Sequence, residues 1–147
     1  MKPFLALVLA AFLPAPLIAQ DATGETGAPA LIQPNDSDLS EYLWKNRPVV
    51  VFADSPDDPR FHEQIERLSQ GAEALLDRDV VVLVDTDPAA NSMLRQKLRP
   101  RGFMLVLVGK DGGVKLRKPS PWTVRELSRT IDKFPSRLRE VEERRGS

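Results

Sequence analysis

The chain is predicted to fold as an α/β domain of order βαβαββα, with a four-stranded mixed sheet flanked by helices. Three observations carry this. Val49-Val50-Val51-Phe52, Asp79 to Asp85 and Phe103 to Val108 are short apolar runs with the composition of strands buried on both faces. The first two runs are each followed by helix-like apolar spacing. Asp111-Gly112, directly after the third run, is a two-residue hairpin signal because both positions take positive φ at low cost, so a fourth strand starts near Val114.

The elements follow in order. Lys2, the apolar stretch Phe4 to Leu13, Pro14 and Pro16, then Leu17-Ile18-Ala19 read as a signal peptide over residues 1–19. The stretch is about ten residues, against roughly twenty needed to cross a bilayer, so no transmembrane anchor is expected after cleavage. No cysteine follows the cut site to accept a lipid. Residues 20–36 mix Gly, Pro, Ala, Thr and acids without periodicity and read as a flexible tether in which Leu31 and Ile32 pack locally. Residues 37–147 are the expected domain, large enough to bury somewhat over 60% of its unfolded surface.

Within that domain, Asp38 to Trp44 leads into Arg47-Pro48 and the first strand. Asp57 or Asp58 caps a helix whose stripe is Phe61, Ile65, Leu68, Ala72 and Leu75, ending by Arg78. Asp87 is expected to cap a second helix starting at Pro88, with Met93, Leu94 and Leu98 inward and Pro100 as its stop. After the hairpin, Pro121 opens a helix with Val124, Leu127, Ile131, Phe134, Leu138 and Val141 on one face. Pro135 removes a backbone donor and predicts a break near Phe134. Trp44 and Trp122 read as packing residues.

Composition removes several functions. The chain has no cysteine, which excludes disulfide exchange, thiol peroxidase chemistry and cysteine-based metal or cluster ligation. Its 21 basic and 21 acidic residues balance, so bulk charge implies no nucleic-acid partner. The charges are polarised, however. Residues 110–145 hold 11 basic and 6 acidic side chains, whereas residues 21–59 hold 2 basic and 8 acidic. Gly109-Lys110-Asp111-Gly112-Gly113 leads into a strand and is read as a turn; a phosphate loop would lead into a helix.

The element order, with Arg101-Gly102-Phe103, the apolar run, Lys110-Asp111-Gly112 and Val114, resembles thioredoxin. Thioredoxins carry Cys-x-x-Cys after the first strand, where this chain has Asp54-Ser55-Pro56-Asp57-Asp58, and a cis-proline where it has Met104. A narrower resemblance rests on residues in order along the chain. These are Trp44, Arg47, Gln64, Arg78-Asp79, Gly109-Lys110-Asp111-Gly112-Gly113, Ile131-Asp132, Pro135, Arg137 and Glu140. In them the chain resembles the P-DUDES family of small secreted bacterial proteins and vertebrate extracellular domains. That resemblance implies a thioredoxin-like fold and no established activity. The family usually has methionines flanking the proline, where this chain has Phe134 and Ser136.

Two functional readings stand. The favoured one is a secreted, non-redox binding module, periplasmic if the source is Gram-negative. It would hold a protein or an anionic envelope component through Lys110, Lys115, Arg117, Lys118 and Arg137, without a cofactor. The alternative is a cysteine-independent or metal-dependent enzyme at the Asp54–Asp58 loop. There Asp54 and Asp57 sit near His62, the only histidine, and near Ser55. Asp54, Asp57, Asp58, Asp85 and Asp87 share a sheet edge in the expected topology, which makes them candidate ligands for a hard cation. Their spacing matches no EF-hand loop, and caps account for some of them.

Overall fold

The structure, a computed structural model, describes residues 31–33 and 38–147. The expected signal peptide and most of the expected tether lie outside these residues. The sheet order is β1-β3-β2-β4-β5, with β1 (Ile32–Gln33), β2 (Arg47–Phe52), β3 (Val80–Asp85), β4 (Met104–Val108) and β5 (Val114–Lys118). β1 and β2 lie parallel to β3, whereas β4 is antiparallel to β2 and β5 to β4. The mixed α/β arrangement is the one predicted, with one strand more. β1 comes from the segment read as tether, where the Leu31 carbonyl accepts from Val82 N–H and the Leu31 side chain is buried.

β2 is buried along its whole length, and its alternating side chains feed two cores. Val49 and Val51 meet Val82, Leu105 and Leu107 under α1 (Pro59–Gln70), α2 (Ala72–Leu76) and α4 (Val124–Asp132), which contribute Leu68, Leu75, Leu127 and Ile131. Val50 and Phe52 meet Leu83, Val106 and Val108 under Leu39 and under Leu94 and Leu98 of α3 (Met93–Leu98). Each such side chain contributes about 1.5–3 kcal/mol on burial. Pro48 is tolerated in this central strand because the ladder to β4 begins only at Val49.

Several local expectations change. The first long helix is two, because a Cβ at Gly71 would lie 2.5 Å from the Val124 side chain, so the chain turns there to let α4 approach. The helix expected from Pro88 is only a 3-10 turn, Pro88–Ala90, and Asp87 makes no side-chain cap bond. Asn91 then takes a left-handed conformation and Ser92 caps α3 by accepting from Arg95 N–H. Met93, expected inside, is exposed. The hairpin loop is three residues, Lys110 to Gly112, closed by Gly109 N–H donating to Gly113 O at 2.8 Å. Only Gly112 is at positive φ (+80°). α4 is capped by Thr123 in a reciprocal box with Glu126. The break at Pro135 is present: α5 (Pro135–Arg145) starts there. Its inward residue is Arg137, and Leu138 is exposed.

Candidate functional site

β2 begins with a buried arginine, and the surroundings of that arginine define one end of the molecule. Arg47 is 0% exposed. A buried guanidinium is costly unless its donors are met; four of the five are, and only Nε–H has no partner among the described residues. Arg47 Nη2 donates to Glu140 Oε1 at 2.9 Å and to Ser136 Oγ at 3.1 Å, while Nη1 donates to Glu140 Oε2 at 3.2 Å and to Arg78 O at 2.9 Å. The planar fork and the carboxylate match in geometry, which a lysine could not reproduce. Lys110 Nζ bridges Glu140 Oε1 and Asp79 Oδ2, both at 2.8 Å. Arg137 Nη1 lies 3.5 Å from Glu140 Oε2, so three cations surround one carboxylate.

Burial alone would raise the Glu140 carboxyl; hydrogen bonds and charge from Arg47 and Lys110 outweigh it and hold the pKa down at about 2. Around this cage Arg78 grips Asp132 with two bonds of 2.9 Å, which lowers the Asp132 carboxyl as well. Arg137, 5% exposed, donates to Asp77 Oδ2 at 3.1 Å and lies 3.7 Å from Asp132. The motif residues Trp44, Arg47, Arg78, Asp79, the Gly109–Gly113 turn, Asp132, Pro135, Arg137 and Glu140 thus gather at one end. Gln64 serves elsewhere, its amide clipping α1 to the Trp122 backbone with bonds of 2.9 and 2.8 Å.

A groove of about 630 Å³ opens above the cage, between Trp44, the Gly109–Asp111 turn and the start of α5 at Phe134 and Pro135. Trp44 was expected to pack; it is 75% exposed. Its backbone is at φ +62°, fixed by its N–H donating to Lys110 O at 2.8 Å. A bulky residue at positive φ is strained, and the surrounding contacts must hold it there. Asp79, the partner of Lys110, is also at positive φ (+56°). Lys115, Arg139 and Glu143 line the same groove.

The opposite end of β2 is arranged differently. Asp54, Asp57 and Asp87 are exposed. Asp58 caps α1 by accepting from Arg60 N–H at 2.9 Å, and the Arg60 side chain lowers its pKa further. Asp85 is buried and closed off by Ser92 Oγ and by Arg95 Nε at 2.8 Å; burial opposes the charge, but these bonds keep its pKa low. His62 is exposed, its ring edge-on to Phe61, and has no carboxylate within ion-pair distance among the described residues. Ser55 Oγ accepts from Asp57 N–H. Among the described residues no group of three or more His, Cys, Asp or Glu is placed to hold a metal ion.

The predicted basic residues divide. Lys110 and Arg137 are committed to the cage. Lys115 pairs with Asp111 at 3.0 Å, Arg117 donates to Leu98 O, and Lys118 lies 4.8 Å from the Trp122 ring centre. Phe134 and Pro135, which the sequence marks as a turn between helices, line the groove; the groove itself and its Arg139 and Glu143 were missed. The readable signal was an arginine set directly before a buried strand.

A family model described as a domain of unknown function, DUF4174, matches residues 38–140. The chain belongs to the DUF4174 family. The fold of this DUF4174 domain is that of thioredoxin-like proteins. It is similar to reduced 2-Cys peroxiredoxin of Plasmodium vivax, with TM-score 0.55 and 14% identity over 73% of this chain and 85% of that one. Plasmodium yoelii thioredoxin peroxidase I gives 0.51 and 16% over 71% and 79%. A chloroplastic thioredoxin z gives 0.54 and 20% over 73% and 96%. At these identities the likeness concerns the DUF4174 fold alone, and no cysteine is available to this chain for the chemistry those names imply.

Proposed function

We propose that this DUF4174 domain is a secreted, non-redox binding module that docks a segment of a protein partner in the groove beside Trp44. The observation that carries the reading is the Trp44 indole, exposed yet fixed at positive φ on the rim. Rigid aromatic anchors at a pocket are where protein interfaces concentrate their energy. The groove volume lies within the range of ordinary binding pockets. Arg139 and Glu143 on its wall have no side-chain ion pair or hydrogen bond among the described residues, so both signs of charge are free to meet a peptide. Lys115, Arg117 and Lys118 lie on the adjoining strand and favour an acidic approach.

The leader-like residues 1–19 support export, to the periplasm in a Gram-negative source. The resemblance to the P-DUDES family fits the same reading, since most of the quoted motif residues build this end. Once a partner has been identified by crosslinking from position 44 and purified, its affinity decides the matter. Trp44→Ala is expected to raise Kd at least tenfold with the unfolding midpoint unchanged, while Asp54→Lys with Asp57→Lys leaves Kd alone. An unaltered Kd in Trp44→Ala overturns the reading.

A further inference from the structure

We infer that the outer face of α4 binds a linear acidic polysaccharide through Arg125, Arg129 and Lys133, a surface separate from the Trp44 groove. The three side chains are exposed and four residues apart, Arg125 and Arg129 on α4 and Lys133 as its C-cap residue in α-helical conformation, so each lies about 6 Å further along the axis than the last. None of them makes an ion pair or a side-chain hydrogen bond among the described residues. The nearby acids are already engaged: Glu126 accepts from Thr123 N–H at the cap, and Asp132 is gripped by Arg78.

Within the helix the stripe is partly self-repelling. Like charges four apart on a helix repel, and Arg125 in the first turn opposes the helix dipole. The stripe becomes favourable when anions lie along it. α4 holds it rigidly, because Leu127 and Ile131 anchor the inner face and the Thr123–Glu126 box pins the start.

The type of anion follows from what the face carries. The exposed large apolar side chains among the described residues are Ile32, Leu43, Trp44, Met93, Val114 and Leu138, none of them on α4. A membrane surface would want an apolar wedge, and a protein partner an aromatic anchor. A single-stranded nucleic acid would want aromatic side chains on which its bases could stack, and no exposed aromatic residue lies on α4. A polymer with one carboxylate per sugar suits evenly spaced cations, and guanidinium pairs with carboxylate in two parallel bonds.

The test is retention of the purified chain in gels cast with polygalacturonate, with titration calorimetry across a salt series. Binding is expected, and Arg125→Glu with Arg129→Glu and Lys133→Glu is expected to weaken it at least tenfold. The milder triple change to glutamine, which spares the helix new charge, should lower the slope of log K against log salt by roughly two to three. Lys97→Glu with Arg101→Glu, remote from α4, should stay within twofold of the parent. No retention, equal retention of the triple variants, or equal binding to polyphosphate or phosphatidylglycerol vesicles would each overturn the inference. None of the exchanged α4 residues lines the Trp44 groove, so failure here leaves that reading standing.

Discussion

The two ends of the sheet handle charge in opposite ways. Where β2 begins, Arg47, Lys110 and Arg137 converge on Glu140, and an open groove with an exposed, strained tryptophan sits over them. Where β2 ends, Asp85 is sealed by Ser92 and Arg95, and the remaining aspartates of the Asp54–Asp58 loop face water or cap a helix. A buried ion cluster beneath an opening fixes the backbone around it, because each group must hold its place to satisfy the others. Solvated caps impose no such order. In this thioredoxin-like fold the open groove thus lies over the ion cluster at the end opposite the loop that follows the first long strand, while the buried pair at the loop end, Asp85 with Arg95, serves to close off a carboxylate.

Removing the keystone should break the comparison most strongly. Arg47→Ala leaves Glu140 without its bidentate partner and is expected to cost about 3–5 kcal/mol in urea unfolding. Acid comes next. Glu140 titrates at about 2 when folded and near 4.5 when unfolded, so its contribution is complete above pH 4.5 and fades as pH falls toward 2. The loss is on the order of 3 kcal/mol in the limit. Glu140→Gln should flatten that part of the stability–pH curve, leaving the acid loss from Asp58, Asp85 and Asp132, whose pKa values are also lowered. At the other end, Ser92→Ala removes both the α3 cap and a hydrogen bond to buried Asp85 and should cost about 2 kcal/mol by the same measurement. His62→Ala should shift stability by less than about 0.5 kcal/mol, as for an exposed residue that makes only an edge contact with its neighbour Phe61.

Much of the frame was legible because local chemistry dictates it. Continuous apolar runs gave β2, β3 and β4, Asp58 marked the start of α1, and Pro135 ended α4 by lacking a donor. The site was less legible because its partners are distant along the chain. Arg47 meets Glu140 across 93 residues, and its place before an apolar run does not say which acid it meets. Trp44 was read as core from its apolar bulk, but the left-handed backbone turns it outward. Leu138 looked like the inward residue of α5 by periodicity, yet the acids around Arg137 draw the arginine in and leave Leu138 outside. Ser92 outcompeted Asp87 as a cap once Asn91 turned left-handed, a choice that side-chain type alone does not decide.

A binding surface at the Trp44 end brings a partner within reach of that residue. A photoreactive residue placed at position 44, and in a parallel sample at position 57, tests this in cells that export the protein. A discrete adduct is expected from position 44 and none from position 57. Adducts from position 57 alone would move the functional surface to the acidic loop and contradict that placement.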